Sequence, residues 1–134
     1  MKLGFTGTQR GLDSFQWSKV RAYVHGLAPE ECHHGDCIGA DAEFHGICRG
    51  FKFKIIVHPP LKRIKRAFCK GDETLPALPY LERNRAIVDE CDELLACPYE
   101  RREQLRSGTW ATIRYARKTG KPVRIIYPDG FIEE

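Results

Sequence analysis

The sequence predicts an α/β fold: a single Rossmann-like three-layer sandwich built on a mostly parallel, five-stranded sheet. Two observations carry this. Short apolar runs with strand character alternate along the chain with segments of helical periodicity. Strands that alternate with helices pair in parallel, and right-handed crossovers then place helices on both faces of the sheet. A chain of 134 residues fits one domain with a sizeable core, and residues 1–134 show no linker, repeat or low-complexity stretch.

The elements follow in order. Residues 2–6 read as a strand that leads into the turn Gly7-Thr8-Gln9-Arg10-Gly11. Ser14 is placed to cap the first helix, whose inward face is Trp17, Val20, Val24 and Leu27, ended by Gly26 and Pro29. Residues 31–35 form a weak second strand. Cys37, Ala40, Phe44 and Ile47 recur as the face of a second helix that ends near Gly50. Residues 51–58 make a strong third strand, stopped by Pro59-Pro60. Residues 61–79 hold five basic side chains and read as a long loop with at most one helical turn; such loops are often functional. Residues 80–90 are helical, with Leu81, Ile87, Val88 and Cys91 turned inward. The fourth strand is 93–97, the last helix starts at about Gly108 with Gly120 closing it, and the fifth strand is 122–127. The tail 128–134 is read as a cap on the sheet edge.

Composition narrows the function classes. Hydrophobic residues make up 42% and charged residues 30%, which suits a folded globular chain. The net charge of +4 permits a phosphorylated small molecule or nucleic acid as partner and selects neither. The first residues lack the apolar core of a signal peptide, and no run approaches membrane-spanning length. A cytoplasmic protein without membrane contact is therefore expected, and its six cysteines are expected as thiols.

Ligands of such folds sit beyond the carboxyl ends of the strands, where strand order reverses. The segments that follow the strands carry Gly7, Thr8, Arg10, Gly35, Asp36, His58 and Asp129, and the helix start Ser107-Gly108-Thr109 lies on the same side. Small residues opening a helix leave N–H groups outward, and the helix dipole adds positive character, which suits a phosphate. The plainer reading makes Ser107 an N-cap and Gly108 a turn residue. Gly7 and Gly35 let backbone approach a ligand, and Arg10 can grip a phosphate in a bidentate way.

These segments carry a family resemblance. Gly7-Thr8-Gln9-Arg10, Gly35-Asp36-Cys37-Ile38-Gly39-Ala40-Asp41, Glu82-Arg83-Asn84-Arg85 and Ser107-Gly108-Thr109 resemble, in order, motifs of the SLOG superfamily. That superfamily is Rossmann-like and includes the LOG phosphoribohydrolases and the DNA-processing protein A family. The resemblance spans nearly the whole chain apart from residues 61–79. It implies a nucleotide-type ligand, a nucleoside monophosphate or an ADP-ribose-like molecule. Gly7, Thr8, Arg10, Gly35, Asp36, Asp41, Arg83, Asn84, Ser107, Gly108 and Thr109 would bind it. It also implies a homodimer; no resident cofactor is expected.

One departure matters. The LOG motif Gly-Gly-x-Gly-Thr-x-x-Glu, aligned on Gly108-Thr109, places its catalytic glutamate at Thr112, and a hydroxyl cannot replace a carboxylate near neutral pH. Ligand binding is thus the leading expectation. The alternatives are a nucleotide N-glycosidase using Arg83 with Asp36, Asp41 or Glu82, and a single-stranded nucleic-acid-binding module.

Cys32, His33, His34, Cys37, His45 and Cys48 have the donor types of a zinc site but lack its paired spacing, so no metal is expected. An Asp41–His45 contact along one helix face is the simpler expectation.

Overall fold

A computed structural model describes residues 1–134. The chain runs β1 (Lys2–Gly7), α1 (Ser14–Leu27), β2 (Glu31–His34), α2 (Ala40–Gly50), β3 (Lys54–Val57), β4 (Glu73–Thr74), α3 (Tyr80–Glu90), β5 (Glu93–Cys97), α4 (Gly108–Lys118), β6 (Val123–Ile126) and β7 (Ile132–Glu133), with single 3₁₀ turns at Arg63–Lys65 and Pro128–Gly130. The sheet order is β4-β3-β2-β1-β5-β6-β7. All pairings are parallel except β6 with β7.

The sheet therefore has seven strands rather than five, and it is mixed. The two additional strands are both two residues long. β4 lies inside the basic loop, and β7 is the tail folding back along β6, which caps that edge. Runs this short carry no periodic signal.

Alternation along the strands divides the core between two faces. Leu3 and Phe5 of β1 join Val20, Val24, Phe44 and Ile47 beneath α1 and α2. Phe5 and Phe44 stack with ring centroids 4.3 Å apart. Each is fully buried, worth about 1.5–3 kcal/mol of transfer free energy. On the other face α3 and α4 cover Leu94, Ala96 and Ile125. Gly4 permits this close layer, because a Cβ there would stand 3.1 Å from Ile87 Cγ2.

Several local expectations shift. Asp13, not Ser14, caps α1: its side chain accepts from the Gln16 amide, and Gln16 reciprocates as a capping box. Gln16 rather than Trp17 then turns inward, donating at 3.0 Å to the carbonyls of both Pro98 and Ile126. Cys37 is buried but lies before α2, in the β2–α2 loop, and Leu81 is exposed. No helix is long and apolar enough to cross a membrane.

Candidate functional site

From β1 the chain builds outward through β2, β3 and β4, then returns to β5 on the opposite side of β1. The connections leaving β1 and β5 thus diverge and open a cleft of about 730 Å³ at the strands' carboxyl ends. Gly7, Thr8, Arg10, Gly35, Asp41, Arg83, Asn84, Ser107, Gly108 and Thr109 all line it. Asp36 and Glu82 do not. Asp36 is fully buried beneath the basic loop, where its carboxylate takes the Arg66 Nε–H at 2.5 Å and the Cys69 amide at 2.7 Å. Glu82 points to solvent.

Gly7 and Gly35 answer first to protein neighbours. A Cβ on Gly7 would lie 2.6 Å from the Ala40 Cβ, and one on Gly35 2.6 Å from Arg83 Nη1. Gly39, at φ +88°, lets α2 begin against the β1–α1 loop, since a Cβ there would sit 2.3 Å from the Gln9 carbonyl oxygen. The Ala40 amide donates to the Thr8 carbonyl across the same contact.

The α4 start opens onto the cleft. Ser107 Oγ accepts from the Trp110 amide at 3.2 Å, and the Ala111 amide donates to the Ser107 carbonyl. The amides of Gly108 and Thr109 find no acceptor in the chain. A Cβ on Gly108 would meet nothing within 4 Å. Thr112 is buried, and its hydroxyl donates back to the Gly108 carbonyl at 2.9 Å. Thr112 does not line this cleft.

Arg83 is buried at the other wall of the cleft. Its Nη1 donates to the carbonyls of Gly35 and His58, its Nε to Asn84 Oδ1 at 2.7 Å, and its Nη2 reaches Cys37 Sγ at 3.7 Å. No carboxylate forms an ion pair with it. Arg10 likewise has no acidic partner; its guanidinium lies over the Tyr99 ring, 4.3 Å from the centroid. Asp41, also buried, accepts from the Cys37 amide at 3.1 Å rather than from His45. Burial pushes its pKa up to about 6, against the opposing pull of Arg83. Burial also raises the Cys37 thiol, which argues against a thiolate nucleophile there.

The suspected zinc donors divide. Cys32 and Cys48 are in the core beneath α1 and α2. His33 Nδ1 pairs with His58 Nε2 at 2.8 Å, and its Nε2 with Glu31 at 2.9 Å. His34, His45 and Cys69 converge with donor atoms within 4.8 Å of one another. Yet the Asp36 amide donates to His34 Nδ1, which leaves the proton on His34 Nε2, aimed at His45 Nδ1 2.9 Å away. Both His34 nitrogens are thus occupied by hydrogen bonds.

Sequence reasoning missed several lining residues: Lys65, Tyr80, Tyr99, Glu100 and Arg106. Tyr80 opens α3, and the other four sit in polar or basic loops whose path the sequence pattern does not define.

No family model matches the chain, and no curated protein matches it. Solved structures do. TM1055, a structural-genomics target, superposes with a TM-score of 0.66 at 14% identity, covering 91% of this chain and 71% of that one. The molybdenum cofactor binding protein of Rippkaea orientalis gives a TM-score of 0.74 at 16% identity, covering 96% and 77%. DNA processing protein A of Streptococcus pneumoniae gives a TM-score of 0.69 at 20% identity, covering 92% of this chain and 49% of its own, about half its length. The present chain shares the Rossmann-like fold of all three.

Proposed function

We propose that the cleft binds a nucleotide-type ligand, a nucleoside monophosphate or an ADP-ribose-like molecule, with a phosphate seated on the Gly108 and Thr109 amides. The carrying observation is one cleft that joins these partnerless amides to two arginines without carboxylate partners, Arg10 and Arg83. Fixed dipoles and uncompensated cations of this kind favour an anion. Gly7, Thr8, Gly35, Asp41, Asn84 and Ser107 complete the proposed contact set. Thermal shift and titration calorimetry with AMP test the reading. Saturable stabilisation is expected, and its absence in the folded protein counts against it.

Two further readings keep a specific observation each. Hydrolysis of the ligand requires a carboxyl in the cleft, and Asp41, poised near pH 6, is the buried one there; release of free base from AMP is its test. A single-stranded nucleic acid fits the basic side chains Lys65 and Arg106 that line the cleft; a steep salt dependence of oligonucleotide binding is its signature. A homodimer would cover the exposed Leu81 beside the α3–α4 groove, and light scattering reads it directly.

A further inference from the structure

We infer that Tyr99 is the platform on which the ligand's aromatic base stacks, with Arg10 backing the ring from behind. This rests on the nucleotide reading above and adds the base subsite to it.

Three aromatic rings line the cleft: Phe5, Tyr80 and Tyr99. Phe5 is fully buried and already stacked on Phe44. Tyr80 is half-buried at the α3 start, with Arg83 over its ring. Tyr99 differs. It is 50% exposed, and one face carries the Arg10 guanidinium. No aromatic or second cationic side chain engages the ring opposite Arg10, which leaves that face available for stacking.

Its hydroxyl makes no hydrogen bond to the protein, as is also true of the less exposed Tyr80, whereas those of Tyr23, Tyr115 and Tyr127 do. The ring is therefore not fixed through its polar end. Its partner is a plane, and planar stacking is sequence-tolerant and suits any base. Arg10 on the far face supplies a cation–π contact that steadies the ring. Stacking uses the flat face of the guanidinium, and its edge N–H groups make no hydrogen bond to the protein, so they are free to take a phosphate.

Position supports the assignment. Tyr99 lies two residues past the end of β5, the strand beside the reversal in strand order. The same β5–α4 connection ends in the Ser107-Gly108-Thr109 cradle. Base and phosphate subsites then share one connecting segment, with the ribose spanning the cleft between them.

The test is calorimetric titration of wild type, Tyr99→Ala and Tyr99→Trp with two probes, AMP and ribose 5-phosphate, after circular dichroism confirms folding. Tyr99→Ala should weaken AMP by about ten- to a hundredfold, the usual loss for one stacked base. Ribose 5-phosphate affinity should not change, and Tyr99→Trp should retain AMP. An unchanged AMP affinity in Tyr99→Ala, or an equal loss for both probes, overturns the platform alone. Wild-type protein that binds neither probe overturns the nucleotide reading and the platform with it.

Discussion

The guanidinium of Arg83 hydrogen-bonds the main-chain carbonyl of Gly35, joining the first turn of α3 to the end of β2 across 48 residues of sequence. The same Nη1 reaches the His58 carbonyl after β3. One side chain thus holds the ends of two strands while lining the cleft. Its role is both structural and, on the proposed function, ligand-binding.

Arg83→Ala should lower stability without any ligand. Two buried carbonyls lose their donor, a cost of about 1–3 kcal/mol. Burial thus adds a structural role to the binding role that the resemblance implies. Urea unfolding of the apo protein is the measurement, with AMP affinity falling in parallel. Arg83→Lys, which keeps the charge but cannot span both carbonyls, should fall between. An unchanged urea midpoint for Arg83→Ala sinks the structural half of the claim.

Gly108→Asp separates stability from binding in the opposite way. Open space surrounds the missing Cβ, so the fold tolerates the change. A carboxylate in the first turn of α4 favours the helix dipole by about 0.3–1 kcal/mol. The same carboxylate should repel a phosphate from the Gly108 and Thr109 amides. The melting temperature should hold or rise while AMP binding is lost. Retained binding in the folded variant removes the phosphate from this helix start.

Acid should destabilise the fold through its histidines. Burial lowers the pKa of His33, His34, His45 and His58, the last to about 4. A lowered folded value means stability that is complete above pH 6.5 and is lost as the pH falls toward 4. Asp41 acts in the reverse sense, since its raised pKa favours the folded state as the pH drops from about 6 toward 3.8. Four histidines outweigh one carboxyl, so the urea midpoint should fall between pH 7 and pH 5. His58→Gln, which can still donate to His33 Nδ1, should flatten that slope. A midpoint that rises toward pH 5 would mean that Asp41 dominates.

Much of this architecture was legible because local pattern and tertiary role agree. Ile87 and Val88 of α3, Leu94 to Cys97 of β5 and the Ser107 cap of α4 lie where periodicity and capping put them. Legibility fails where tertiary contacts decide. Gln16 is buried because the Pro98 and Ile126 carbonyls need a donor, which no helical period reveals. Tyr99 is a single aromatic in a polar loop, and only the cleft gives it meaning. Asp36 looked like a ligand residue because it stands between glycine and cysteine in a motif-like turn. Its partners Arg66 and Cys69 lie about thirty residues away, beyond the reach of local reasoning.

Asp36 supplies the last prediction. It adopts φ +57°, a left-handed conformation that Asp tolerates better than most residues. There its carboxylate and main chain turn toward the basic loop together. Oδ2 takes Arg66, Oδ1 takes the Cys69 amide, and its carbonyl accepts from the Ala67 amide at 2.8 Å. The Ile38 amide adds a bond to the Lys65 carbonyl, and Lys65 lines the cleft. Asp36 is therefore the anchor of residues 63–69 rather than a wall of the site. Asp36→Asn would set an amide N–H₂ or a neutral oxygen against the Arg66 cation, and breaking a buried pair on one side costs about 3–5 kcal/mol. If the loop detaches locally, the loss appears there first. Hydrogen exchange at the Ala67 and Cys69 amides should accelerate while β1 and β5 stay protected. AMP affinity should change by less than the loss expected for Tyr99→Ala, because Asp36 is outside the cleft. The opposite pattern, wild-type exchange at Ala67 and Cys69 with AMP binding abolished, would return Asp36 to the list of ligand contacts.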